Sequence, residues 1–173
     1  MGNFYTNITL RTTDRQALID HMRAHSRRCF VSPTRDGFTT VYDRLCDEQD
    51  PGDLQTLATE LSLHFHCAAL AVLNHDDDVL WMGLAREGKW LTTYRSDESL
   101  GGSTRLLVQE FKVMGLLPLV WFLMRWPFAL FEIWRHAALA SVLGIPKVTV
   151  GFGYEYLSRG ERPGGDAEQF ERV

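Results

Sequence analysis

The stretch from Ala68 to Ala85 constrains the fold more than any other. It runs Ala-Ala-Leu-Ala-Val-Leu, then Asn74-His75-Asp76-Asp77-Asp78, then Val79 to Ala85. A strand wetted on one side alternates apolar and polar residues. An unbroken apolar run of strand length reads instead as a central strand buried on both faces. Asn and Asp favour turns, so the acidic residues read as the turn into a second strand. Arg86-Glu87-Gly88 turns the chain again, and Lys89 to Arg95 returns.

The segments before this hairpin fit around it. Phe4 to Arg11 is β-branched and aromatic and reads as a first strand. Thr13 or Asp14 caps a helix to about residue 26, with Leu18, Met22 and His25 on one stripe. Cys29 to Ser32 and Phe38 to Asp43 are short strands, with the Asp36-Gly37 hairpin signal between them. Asp50 as N-cap and Pro51 as first helical residue open a second helix, which carries Leu54, Leu57, Ala58, Leu61 and Phe65 at helical spacing. The order predicts an α+β fold with a mainly antiparallel sheet, β-α-β-β-α-β-β-β, around a ferredoxin-like split βαβ core.

The C-terminal part differs in character. Leu100 to Ser103 is a loop, and Thr104 to Met114 reads as a helix. Phe128 to Leu143 reads as a longer helix ending at Gly144-Ile145-Pro146, and Lys147 to Leu157 as a last strand. One α+β domain is expected over residues 1–157: a sheet-rich part (1–98), apolar helices (103–145) and a last strand (147–157). A polar, Gly-rich flexible tail is expected over 158–173. From Val113 to Phe131 there is one charge in nineteen residues, near the length that spans a bilayer. Two prolines, a glycine and the central Arg125 oppose a spanning helix, since an arginine at mid-bilayer costs about 3 kcal/mol or more. Core helices, a docking or oligomerising surface and peripheral membrane contact are the readings of 113–131.

The net charge of -4 argues against nucleic acid, which needs a basic stripe. The densest basic cluster, Arg23, His25, Arg27 and Arg28, suits the C-terminal end of the first helix. Cys29, Cys46 and Cys67 are odd in number and far apart, as expected of free thiols in a reducing compartment. The first residues carry neither a charged n-region nor a long apolar h-region, so a cytoplasmic location is expected.

Four groups of residues are candidates for chemistry. In the acidic turn, Asp76 and Asp78 could coordinate Mg²⁺ or Ca²⁺ through oxygens. Equally, His75, Asp76, Asp77 and Asp78 could meet a basic partner, or form a solvated turn. An EF-hand is excluded, because a loop starting at Asp76 has Trp81 at the glycine position. His64, His66 and Cys67 invite a zinc reading, but on a helix His64 and His66 stand about 200° apart. His21 and His25, four residues apart, share a helix face and allow a metal. The usual Glu after the first His is Met22, which excludes the metalloprotease pattern. Glu132 and His136 share one face of the long helix, with Arg135 at pairing distance from Glu132. They form either a polar site facing the sheet or the boundary between a buried and a wet face. There is no P-loop or Gly-x-Ser-x-Gly elbow, and Gly151-Phe152-Gly153 has Tyr156 where a dinucleotide loop needs its third glycine.

Residues Ala69 to Trp81, together with Arg135 to Ala140, Leu143 to Pro146 and Gly151 to Tyr154, resemble a group of small uncharacterised bacterial cytoplasmic proteins. That resemblance carries no assigned chemistry and transfers no functional residue. The general profile, small, acidic, α+β and aromatic-rich, is similar to that of immunity proteins that neutralise toxins. The leading expectation is therefore a non-catalytic protein-binding module, an immunity-type inhibitor of a basic bacterial effector, with no cofactor. The alternatives are a metal-dependent or acid–base enzyme built on Asp76–Asp78, and a peripheral membrane or oligomerising protein using 113–131.

Overall fold

The computed structural model describes residues 2–12, 14–98, 101–126, 131–161 and 170–173. Seven strands are present among them: β1 (Tyr5–Leu10), β2 (Cys29–Val31), β3 (Thr39–Asp43), β4 (Ala68–His75), β5 (Val79–Arg86), β6 (Lys89–Arg95) and β7 (Glu171–Arg172). The helices are α1 (Arg15–Ala24), α2 (Pro51–His64), α3 (Thr104–Glu110), α4 (Leu117–Arg125), α5 (Glu132–Leu143) and α6 (Tyr154–Ser158). The strands form one antiparallel sheet in the order β6-β5-β4-β1-β3-β2-β7. Since β3 is antiparallel to both β1 and β2, those two run the same way with β3 inserted between them. This is the expected split βαβ unit.

Local signals set the elements where the sequence placed them. Asp14 caps α1 through Ala17 N at 3.0 Å, while Thr13 lies outside the described residues. Asp50 caps α2 through Gly52 N at 2.7 Å, with Pro51 in the first turn. Gly144 ends α5 at φ 72°, and Ile145 N returns to Ala140 O at 2.8 Å, which is the Schellman pattern. The predicted start of that helix at Phe128 lies outside the described residues.

The sheet is covered on both faces, which is why β4 is apolar at every position from Ala68 to Leu73. Its Ala69, Ala71 and Leu73 face α1 and α2 together with Ile8, Leu10 and Trp81. Its Leu70 and Val72 face α3, α4 and α5 together with Tyr5, Met82 and Leu84. At the far end of this second face, Phe30 and Tyr42 pack against Tyr154 and Leu157 of α6. Cys29, Cys46 and Cys67 are buried and free. Burial pushes the Cys29 thiol up to about 12 and Cys67 up to about 11, so neither is a nucleophile at neutral pH.

Two expectations are corrected. Lys147 to Leu157 is not a last strand: a short 3-10 turn at Lys147–Thr149 leads through Gly151 at φ +78° into α6. The positive φ breaks the extended run. Asn7 Nδ2 then binds Thr149 O (2.7 Å) and Phe152 O (3.2 Å), holding the segment across the sheet face. Asp47 accepts from Glu155 N at 2.8 Å in the first turn of α6. Nor is all of 158–173 a free tail. Phe170 is buried, and Glu171 and Arg172 pair with Val31 and Phe30 as the edge strand β7. The tail residues 162–169 lie outside the described residues.

Candidate functional site

The acidic turn closes the β4–β5 hairpin, with Asp76 and Asp77 both at positive φ (55° and 59°). Among the described residues its three carboxylates do not gather as one metal-ligating group. Asp77 is buried; it accepts from Asn3 N (3.2 Å), Asn3 Nδ2 (2.7 Å) and Asn74 Nδ2 (3.0 Å). Its backbone carbonyl accepts from Glu132 N at 2.9 Å. Asp76 accepts from Gly2 N at 3.0 Å. His75 is exposed, with Nδ1 2.6 Å from Gln49 Oε1 and its ring edge-on to Phe4. Asp76 and Asp77 thus fasten residues 2 and 3 over the hairpin; Asp76 and Asp78 are exposed, and Asp77 is buried. The basic cluster is similarly divided, with Arg23 paired to Glu171 and Arg27 to Asp43.

Glu132, Arg135 and His136 face inward, all buried. Arg135 binds Glu132 at 2.7 and 3.2 Å and donates to Leu123 O (2.8 Å), Met124 O (3.2 Å) and Trp126 O (2.6 Å). These carbonyls lie at the end of α4, where no helical donor reaches them and a cation is favoured; Met124 O also accepts from the Tyr94 hydroxyl at 2.6 Å. Burial pushes the Glu132 carboxyl above its ordinary value against the pull of Arg135. His136 stacks on Tyr5, with Nδ1 2.7 Å from the phenol oxygen. Burial holds this imidazole down to about 4, so it is neutral at physiological pH. The helix polar residues therefore lock α4, α5 and β1 together beneath the surface.

The outward face of the same helices is apolar. Met114, Leu119, Trp121, Phe122, Phe131 and Trp134 are each between 43% and 55% exposed. Their neighbours Val120, Leu123 and Met124 fill the core, so α4 is apolar inside and out. Arg125 lies over the Trp121 ring at 5.1 Å. The described part of 113–131 is thus core on its inner side and bare apolar surface on its outer side. No helix among the described residues is long and apolar enough to cross a membrane.

On the opposite side of the sheet, α1 and α2 bring three histidines and a carboxylate together. His21 Nε2 is 3.0 Å from Glu60 Oε1, and His25 Nε2 is 3.9 Å from the same oxygen. The His21 ring lies 4.2 Å from that of His25 and 4.1 Å from that of His64, centroid to centroid. His66, at φ 48°, and the buried Cys67 take no part in this group. Sequence reasoning found the His21–His25 pair but missed Glu60. The available signal was a second i, i+4 pair, Glu60 and His64, on the next helix.

Comparison with models of known protein families, with curated proteins and with solved structures finds no match to this chain.

Proposed function

We propose that the protein is a binding module that docks a protein partner on the outer face of α4 and the first turn of α5. The observation that supports this reading is the concentration there of half-exposed Trp121, Phe122, Phe131 and Trp134 with Met114. Aromatic residues and methionine are the side chains enriched at protein interfaces, and contiguous apolar patches on a folded surface mark contact sites. The net charge of -4 disfavours an anionic bilayer as the occupant. The occupant is a protein presenting an apolar ridge, and an immunity-type role against an effector is one setting for it. Contact through this face differs from contact through the acidic turn in a measurable way: apolar docking is nearly insensitive to salt, whereas charge steering is not.

Sedimentation of the chain alone, and mixed in turn with the purified products of the genes flanking its own, tests the reading. The expected result is a stoichiometric complex that persists at high salt, is lost in the Trp121→Asp, Phe122→Asp double variant and survives Asp78→Asn. A chain that stays monomeric with every such product, or a complex indifferent to the double variant, overturns it. Flotation with liposomes that depends on the same two residues would assign the face to lipid.

A further inference from the structure

We propose that His21, His25 and Glu60 form a binding site for a divalent transition metal of the zinc type, bridging α1 and α2. Their ligand atoms lie within 4.8 Å of one another, and among the described residues this is the one group of three or more such side chains so placed. A tetrahedral centre with bonds of 2.0–2.1 Å requires ligand atoms about 3.3 Å apart. The two short separations here, 3.0 and 3.9 Å, bracket that edge, so small rotations of side-chain ends complete the geometry.

The donors are also prepared for the task. His25 Nδ1 lies 2.8 Å from His21 O. A carbonyl can only accept, so Nδ1 carries the proton and Nε2 presents its lone pair toward Glu60. Fixing a ligating imidazole by a hydrogen bond from its other nitrogen is the usual device of protein metal sites. The His21 side chain is 7% exposed, its ring held between those of His25 and His64. Two imidazoles and one carboxylate select zinc, nickel or cobalt over magnesium, which wants oxygen ligands.

Three protein donors leave a fourth position. Glu60 and His25 are exposed, and His64, one turn beyond Glu60, lines the same recess. That position is therefore open to water or to His64. Because α1 and α2 are separated along the chain by β2 and β3, an ion held by both would cross-link the two helices on one face of the sheet. The site lies on the far side of the sheet from α4 and does not depend on the docking reading.

The test is equilibrium dialysis of chelator-treated protein against Zn²⁺, followed by elemental analysis, with Co²⁺ absorption as a report on coordination. The expected result is one Zn²⁺ per chain, no retention of Mg²⁺ and a tetrahedral Co²⁺ spectrum. His25→Ala and Glu60→Gln should each weaken binding by about 10- to 100-fold or more, the range known for removing even an outer supporting group. Both side chains are exposed, so the variants are expected to fold, which circular dichroism checks. His66→Ala and His75→Ala should change nothing. Less than stoichiometric Zn²⁺, or binding that follows His66 or His75 instead, overturns the proposal.

Discussion

Lowering the pH should weaken the protein through one buried imidazole. His136 is 2% exposed, and burial holds it down to about 4, from an ordinary value of 6.5. Between these values the unfolded chain takes up a proton that the folded chain refuses. Stability is therefore full above pH 6.5, falls as the pH drops, and has lost the whole contribution at pH 4. Each pH unit inside that window is worth 1.36 kcal/mol, so going from pH 7 to about 4.5 removes roughly 2 kcal/mol. That is a large share of the 5–15 kcal/mol typical of a domain. The groups around the ring do not reverse the sign. Tyr5 stays a neutral phenol, its pKa raised chiefly by burial, with Asp77 and Glu132 adding to the rise. The carboxyls of Glu132 and Asp47, raised by burial, oppose the effect as they take up protons. The measurement is therefore a difference: urea unfolding of the protein and of His136→Gln across this pH range. Gln can still hydrogen-bond the Tyr5 hydroxyl but does not titrate. The variant should lose about 2 kcal/mol less than the parent over the interval. Equal losses would show that His136 is not held neutral by the fold.

Arg135→Ala leaves the buried Glu132 carboxylate without its cation and removes the Arg135 donors from Leu123 O, Met124 O and Trp126 O, of which Met124 O keeps the Tyr94 hydroxyl. A loss of about 3–5 kcal/mol is expected in urea unfolding at pH 7, as for other broken buried pairs. In Gly83→Ala the new methyl would lie 2.0 Å from Trp90 and 2.8 Å from Trp81, so the stacked tryptophans must separate. About 1–3 kcal/mol should be lost, with a changed tryptophan emission as the second readout. Asp77→Asn sets an amide against the donors of Asn3 and Asn74 and should cost about 1–3 kcal/mol. Asp78→Asn should stay within about 0.5 kcal/mol.

What could be read in the sequence was what depends on near neighbours. The unbroken run at Ala68–Leu73 identified a central strand buried on both faces, because that composition suits no half-wet strand. Asp14, Asp50 and Gly144 marked helix ends, because capping is decided within a few residues. The last strand misled because Val148, Val150, Phe152, Tyr154 and Tyr156 alternate as a strand does. What decided their shape was distant: Asn7 and Asp47 hold that segment by hydrogen bonds from β1 and the segment after β3. The acidic turn was visible as a turn, but nothing in its own residues showed that Gly2 and Asn3 would lie against Asp76 and Asp77. The histidine group was half legible. Each helix showed its own i, i+4 pair, while the meeting of Glu60 with His21 and His25 follows from how α1 and α2 lie side by side on the sheet.

The place of β1 bears on how the chain reaches this structure. The strand β1 sits in mid-sheet, hydrogen-bonded to β3 on one side and β4 on the other. Tyr5 to Leu10 must wait for residues 68–75 before the β4 side can close. On the opposite flank, Phe30 and Val31 wait for Glu171 and Arg172. Such a topology has high contact order, and pairings of long sequence separation form slowly because loop entropy is lost before they are made. During that interval, apolar strands with open edges are available to other chains. Until Glu171 and Arg172 pair with β2 that edge of the sheet stays open, so disrupting this pairing should slow maturation and favour aggregation.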